Sequence, residues 1–167
     1  DHHQTKTSQE IIDKTSYYTS YPSSEPTTYI AQKIFNKKED LWLAVIGCIG
    51  DAYIPDFMNE FAKENPELIQ QNIDILDAMN ATQIGKIIKI LNFGLMDSIT
   101  NVVKLTKYLF KAQGPYDILE ENQYTKQLHN RYNQLNQFFN KQIEKAEANF
   151  NPESNALIFS YTGETSM

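Results

Sequence analysis

The chain has 167 residues and a formal net charge of −6, which is length enough for one domain, or for one domain and a piece of another. The acidic balance argues against a generic nucleic-acid coat protein, whose affinity comes from clustered Lys and Arg. Arg131 is the only arginine, so bidentate phosphate clamps are nearly out of reach; if the chain handles phosphates, a bound metal must supply most of the positive charge.

Cys48 is the only cysteine and sits in an apolar run. A lone buried thiol fits a reducing compartment, with a cytoplasmic location expected, and excludes an internal disulfide framework. No apolar run approaches the roughly 20 residues that span a bilayer, so no membrane partner is expected. The sequence starts without a signal peptide and without Met, in the middle of a motif. The expectation is a natural chain cut at both ends.

The start, Asp1-His2-His3, places two adjacent histidines behind an acid. Such a stretch can bind a metal or a phosphate, or be a frayed end. A polar stretch follows to Ile11-Ile12. Thr15 to Tyr21 is β-branched and aromatic enough for a short strand, ended by Pro22. Ser24 or Glu25 precedes Pro26, which suits a first helical position. Tyr29, Ile30, Ile34 and Phe35 then fall on one helix face, to about Asn36.

Asp40 can cap the run Leu41–Gly50, which periodicity alone leaves open between buried strand and buried helix. Its length and the capping acid favour helix. Gly47 and Gly50 allow another backbone to come close. The run ends at Asp51, a carboxylate whose position after an apolar element is costly unless it meets solvent, a cation or a donor.

Ile54-Pro55-Asp56 opens a further helix with Phe57, Met58, Phe61 and Ala62 on its face, ended by Asn65-Pro66. Asp56 reads as an acid of the first turn, favoured by the helix dipole. Leu68 to Ala81 reads as mostly helical. Thr82 caps a helix from Ile84 to Phe93, with Ile84, Ile87, Ile88 and Leu91 as its stripe. Asp97-Ser98 caps Ile99 to Ala112, with Val102, Val103, Leu105, Leu109 and Phe110 inward. Gly114-Pro115 breaks the chain. The longest helix is expected from about Tyr116 to Ala148, its stripe formed by Leu128, Tyr132, Leu135, Phe139, Ile143 and Ala146, with His129 solvated. Ala156 to Tyr161 is a short strand candidate.

Asp1-His2-His3 resembles the third motif of the DHH phosphoesterases, and Ile46-Gly47-Cys48-Ile49-Gly50-Asp51 resembles the segment leading to their fourth. The helices that follow, with Leu91-Asn92-Phe93-Gly94, resemble those after the catalytic core in the archaeal RecJ-like branch. The resemblance implies an α/β fold, the C-terminal part of a parallel-sheet core, mostly helical here. It implies residues 1–113 as the end of the catalytic domain with its following helices, 114–152 as a long connector helix, and 153–167 as the start of a C-terminal domain.

It also implies a two-metal site for Mn²⁺ or Mg²⁺, with His2 and Asp51 as metal ligands, His3 on the phosphate and Asp1 steadying the histidines. Imidazole and carboxylate together suit Mn²⁺. Two such ions lower the pKa of a bridging water and hold the phosphoryl oxygens for in-line attack. The implied function is that of a RecJ-like exonuclease acting on single-stranded nucleic acid, alongside replication or repair proteins. The alternatives are a member acting on oligonucleotides, nucleotide phosphates or polyphosphate, and a non-catalytic replication-associated binding protein of the same fold. The family's first two motifs do not occur in these residues, so the chain by itself is expected to be catalytically inactive.

Overall fold

The computed structural model describes residues 7–21, 23–154 and 157–160. Among them the architecture is helical throughout, with no strand. The α/β expectation is thereby corrected. The physical reason is legible in the two most apolar segments: both bury side chains at helical spacing and satisfy their backbone internally, so neither needs a partner strand. Thr15–Tyr21 is irregular, and its polar groups close locally: Ser20 Oγ donates to the Glu25 carbonyl at 2.7 Å and Ser23 N–H to the Ser20 carbonyl at 2.6 Å. Leu157–Ser160 carries no strand either, while Ala156 and Tyr161 lie outside the described residues.

Helix α1 spans Gln9–Lys14 and has no counterpart among the expected elements. It buries nothing and is supported by an exposed Lys14–Glu10 pair at 2.7 Å, an interaction worth little in water. Helix α2 spans Thr27–Phe35, with Pro26 one position earlier than expected, at the N-cap. Asn36 ends it in the left-handed conformation, which Asn tolerates.

Helix α3 spans Leu41–Gly50 and forms the centre of the molecule, with Trp42, Ala44, Val45, Ile46, Cys48 and Ile49 buried. Asp40 occupies its N-cap position without making a side-chain cap bond; a 3₁₀ turn over Lys38–Asp40 leads directly into it. Gly47 is the point where α2 crosses. A Cβ there would fall on the Thr28 side chain, with Thr28 Cβ only 2.8 Å away, whereas one on Gly50 would meet Ile88 at an ordinary 3.7 Å. Only the first glycine is required by packing.

Helix α4 spans Met58–Glu64. The next helix is far shorter than expected: α5 covers only Ile75–Asn80. Leu68 and Ile69 are buried from a loop instead. Asn72, left-handed at φ 55°, exchanges two hydrogen bonds with Asn59 at 2.9 and 3.0 Å, which stops helix propagation across this stretch. Asp74 then starts α5 by accepting from Leu76 and Asp77 N–H.

Helix α6 spans Gln83–Leu95, with Thr82 Oγ1 accepting from Gly85 N–H at 3.0 Å as expected of a cap. It buries Ile84, Ile87, Ile88 and Ile90. Gly85 allows the Met79 carbonyl to approach where no Cβ fits.

Helix α7 spans Ile99–Leu109. Of its expected inward residues only Leu105 is buried, and Phe110 is 87% exposed. The single long helix is also corrected. The chain forms α8 over Tyr116–Leu119, breaks, and forms α9 over Lys126–Ala148. Asn122 makes the break: its Oδ1 accepts from Tyr124 and Thr125 N–H at 2.9 and 3.1 Å, and its own N–H donates to Thr125 Oγ1 at 2.9 Å. This side-chain turn competes with the helix for the same backbone groups.

Leu128 and Tyr132 of α9 pack on the core, whereas Ile143 is largely exposed. His129 is buried rather than solvated, and its Nε2–H donates to the Ile118 carbonyl at 2.9 Å. No helix among the described residues is long and apolar enough to cross a membrane.

Candidate functional site

Of the residues with an expected role, Asp1, His2 and His3 lie outside the described residues. Asp51 is described, and its position follows from how α3 ends. Ala52 N–H donates to the Ile49 carbonyl at 3.0 Å and Tyr53 N–H to the Cys48 carbonyl at 2.9 Å. These bonds form the paired Schellman closure of a helix C-terminus, with Asp51 at the C-cap. Ala52 takes the left-handed conformation at φ 56°, where an ordinary side chain costs roughly 1–2 kcal/mol relative to the right-handed region.

The Asp51 carboxylate is exposed and makes no hydrogen bond or ion pair among the described residues. It stands at the negative end of the α3 dipole, and the last turn of α3 carries no basic residue. An acid in that place repels the helix carbonyls and favours a cation.

Asp56, whose charge acts on Cys48 together with that of Asp51, is already paired. Lys33 Nζ donates to Asp56 Oδ2 at 2.6 Å, and the Tyr29 hydroxyl adds a longer bond at 3.4 Å. Lys33 holds the Asp56 carboxyl below its ordinary range, with Tyr29 and the Phe57 N–H assisting. The same bond raises the Lys33 pKa. Lys33 also lies over the Tyr29 ring, 5.3 Å from its centroid. Tyr29 in turn stacks on Phe57 at 5.8 Å and meets Tyr53 edge-on at 5.3 Å. The Lys33 cation is therefore committed to Asp56, and Asp51 is left open.

Cys48, one turn before Asp51, is fully buried. Burial pushes its thiol up to about 11, and the Asp51 and Asp56 charges add to the rise against a lowering contact from Thr28. It is a core residue, as expected, and not a nucleophile at neutral pH. Burial, more than the neighbouring charges, also raises the Tyr53 pKa.

Among the described residues no cluster of three or more His, Cys, Asp or Glu side chains is arranged to hold a metal ion. Asp51 offers one open carboxylate ligand that fits a divalent cation; any imidazole from His2 lies outside the described residues. The Lys33–Asp56 pair has no signal in the sequence, because its partners are 23 residues apart and meet only once α2 packs across α3. Comparison with family models, with curated proteins and with solved structures returns no match.

Proposed function

We propose that this chain contributes part of the site of a divalent-metal-dependent phosphoesterase, with Asp51 and His2 as metal ligands, His3 on the phosphate and Asp1 orienting the histidines. The observation that carries the reading is the open Asp51 carboxylate at the C-cap of α3, without a partner among the described residues while Lys33 is held by Asp56. Bound Mn²⁺ or Mg²⁺ would supply a polarised water and charge for the phosphoryl oxygens. The strained Ala52 supports the same reading, since backbone strain of this kind clusters at functional sites. The substrate class proposed is single-stranded nucleic acid, with a small phosphoester as the alternative.

A Mn²⁺ titration by calorimetry, on the whole protein and on its His2→Ala and Asp51→Ala variants, tests the site. Each substitution is expected to weaken Mn²⁺ binding by about 10-fold or more. Unchanged affinity in both variants would sink the reading. Loss of Mn²⁺-dependent hydrolysis of a labelled single strand in the same variants would support the activity.

A further inference from the structure

A cavity of about 800 Å³ lies between α7, the corner joining α8 to α9, and the first turn of α9. That is the size of a small-molecule site. Its α7 wall carries Lys104 and Lys107, three apart on one face, and Lys111 lines the cavity from the turn just past the helix end. None of their ammonium groups has an acidic or other acceptor partner among the described residues.

The acids that line the cavity are already engaged. Asp97 accepts from Ser98 N–H at 2.6 Å and from Gln127 Nε2 at 3.2 Å, and Asp117 accepts from Gln113 N–H at 2.6 Å. The Ser98 N–H, then Asn101, Gln127 and the Arg131 charge, hold the Asp97 carboxyl below its ordinary range. The neutral donors fix the two carboxylates in place and leave them charged, so three ammonium groups face two carboxylates and the cavity keeps a positive balance, in a chain whose net charge is −6.

The corner between α8 and α9 supplies a flat surface, held against α7. Tyr124 stacks on Tyr108 with centroids 5.6 Å apart and planes 25° apart. The Tyr108 hydroxyl donates to the Asp117 carbonyl at 3.0 Å and accepts from Asn122 Nδ2 at 3.1 Å, which fixes the pair. Tyr124 remains 68% exposed, so its outer face can take another ring. The Gln123 side-chain amide beside it makes no hydrogen bond among the described residues. Leu105 and Leu128 form an apolar floor.

We infer that this cavity binds a nucleoside phosphate, with the base stacked on Tyr124, its edge toward Gln123, and the phosphates on Lys104, Lys107 and Lys111. An aromatic platform, a free amide and a group of unpaired cations in one cavity match a base and its phosphates together, and neither part alone uses all three. The inference stands apart from the metal reading, and neither requires the other.

Calorimetry on the full chain in EDTA, which silences any metal site, tests it with ATP, adenosine, tripolyphosphate and a short oligothymidylate. ATP is expected to bind at least about 10-fold tighter than adenosine or tripolyphosphate. Tyr124→Ala should weaken ATP about 10-fold, as loss of one base–aromatic stack does, while leaving tripolyphosphate unchanged. Lys104→Gln with Lys107→Gln should weaken both. All three side chains are exposed, and circular dichroism melts check that each variant is folded. Absence of ATP binding, equal binding of tripolyphosphate, or an oligothymidylate at least about 10-fold tighter than ATP would each overturn the inference, the last in favour of a polymer track.

Discussion

Helices α3 and α7 are of similar length and both carry enough apolar residues to pack, yet they do opposite things. α3 buries six residues and touches the rest of the core on nearly all sides. α7 buries one, and Ile99 at its start is 85% exposed. α3 is apolar all round, which forces it inside whatever surrounds it. α7 interleaves its apolar residues with Lys104 and Lys107, and Lys111 follows just past its end, so it can lie on the surface with one side over α6 and another lining a cavity. An apolar stripe states which face can be buried; it does not state that a neighbour exists to bury it.

Substitutions can break this contrast. The largest effect is expected for Ile87→Ala in α6, which removes a fully buried side chain packed in the core. It should cost about 3–4 kcal/mol in urea unfolding, whereas Phe110→Ala should change stability by less than about 0.5 kcal/mol. Comparable losses at the two positions would mean that the end of α7 is covered in solution.

Gly47→Ala comes next. The new methyl would collide with Thr28, whose branched side chain has little room to turn in a helix, and about 2 kcal/mol should be lost as α2 shifts. A neutral result would show that the α2–α3 crossing is slack.

The Cys48 thiol gives a pH-dependent test. Its folded pKa, about 11, lies above the ordinary thiol value, so the neutral form is favoured by folding. Its contribution is complete below the unfolded pKa and is lost as pH rises toward 11. Stability measured at rising alkaline pH should fall less steeply in Cys48→Ala. At a pH of about 8, just under the free thiol's own pKa, the native thiol should resist alkylation that the unfolded chain undergoes readily.

The smallest of the changes expected to move stability has the opposite sign. Ala52→Gly relieves a left-handed alanine and should stabilise the fold by about 1 kcal/mol, read as a rise in the urea midpoint. If the strain positions Asp51, the same variant should bind Mn²⁺ less tightly than the parent.

What the sequence made legible was the material with strong local rules. Leu41–Gly50 could only be an interior element, and Thr82 announced α6 by a cap that the structure contains. The misreadings came from side chains acting on backbone and from propensity without a partner. Asn72 is held by Asn59, 13 positions away, and this pairing cuts a long helix down to α5. Asn122 and Thr125 close a turn with no Gly or Pro to mark it. Short strands expected at Thr15–Tyr21 and Ala156–Tyr161 rest on β-propensity, which reports fit to a sheet surface and is empty without one.

For the site, the place of Asp51 at a helix end was legible and its freedom was not. The nearby cation Lys33 pairs with Asp56, 23 residues away in the chain, and no cation among the described residues pairs with Asp51. The cavity on α7 was equally hidden, although Lys104, Lys107 and Lys111 without an intervening acid were its available signal.

The hydrogen bond from His129 to Ile118 sits at the root of α9 and joins it to α8 across the corner. From that root to Ala148 the helix extends about 28 Å at roughly 1.5 Å per residue. A tilt of about 10° at the root would therefore carry the far end through about 5 Å over that length. The Nε2–H bond acts there together with the packing of α9 on α6, where Tyr132 meets Phe93, Lys89 lies over the Phe139 ring and Gln142 is buried further out. Where the chain beyond Ala148 is delivered is thus set upstream, by the α6 face on which α9 lies and by the bond at its root.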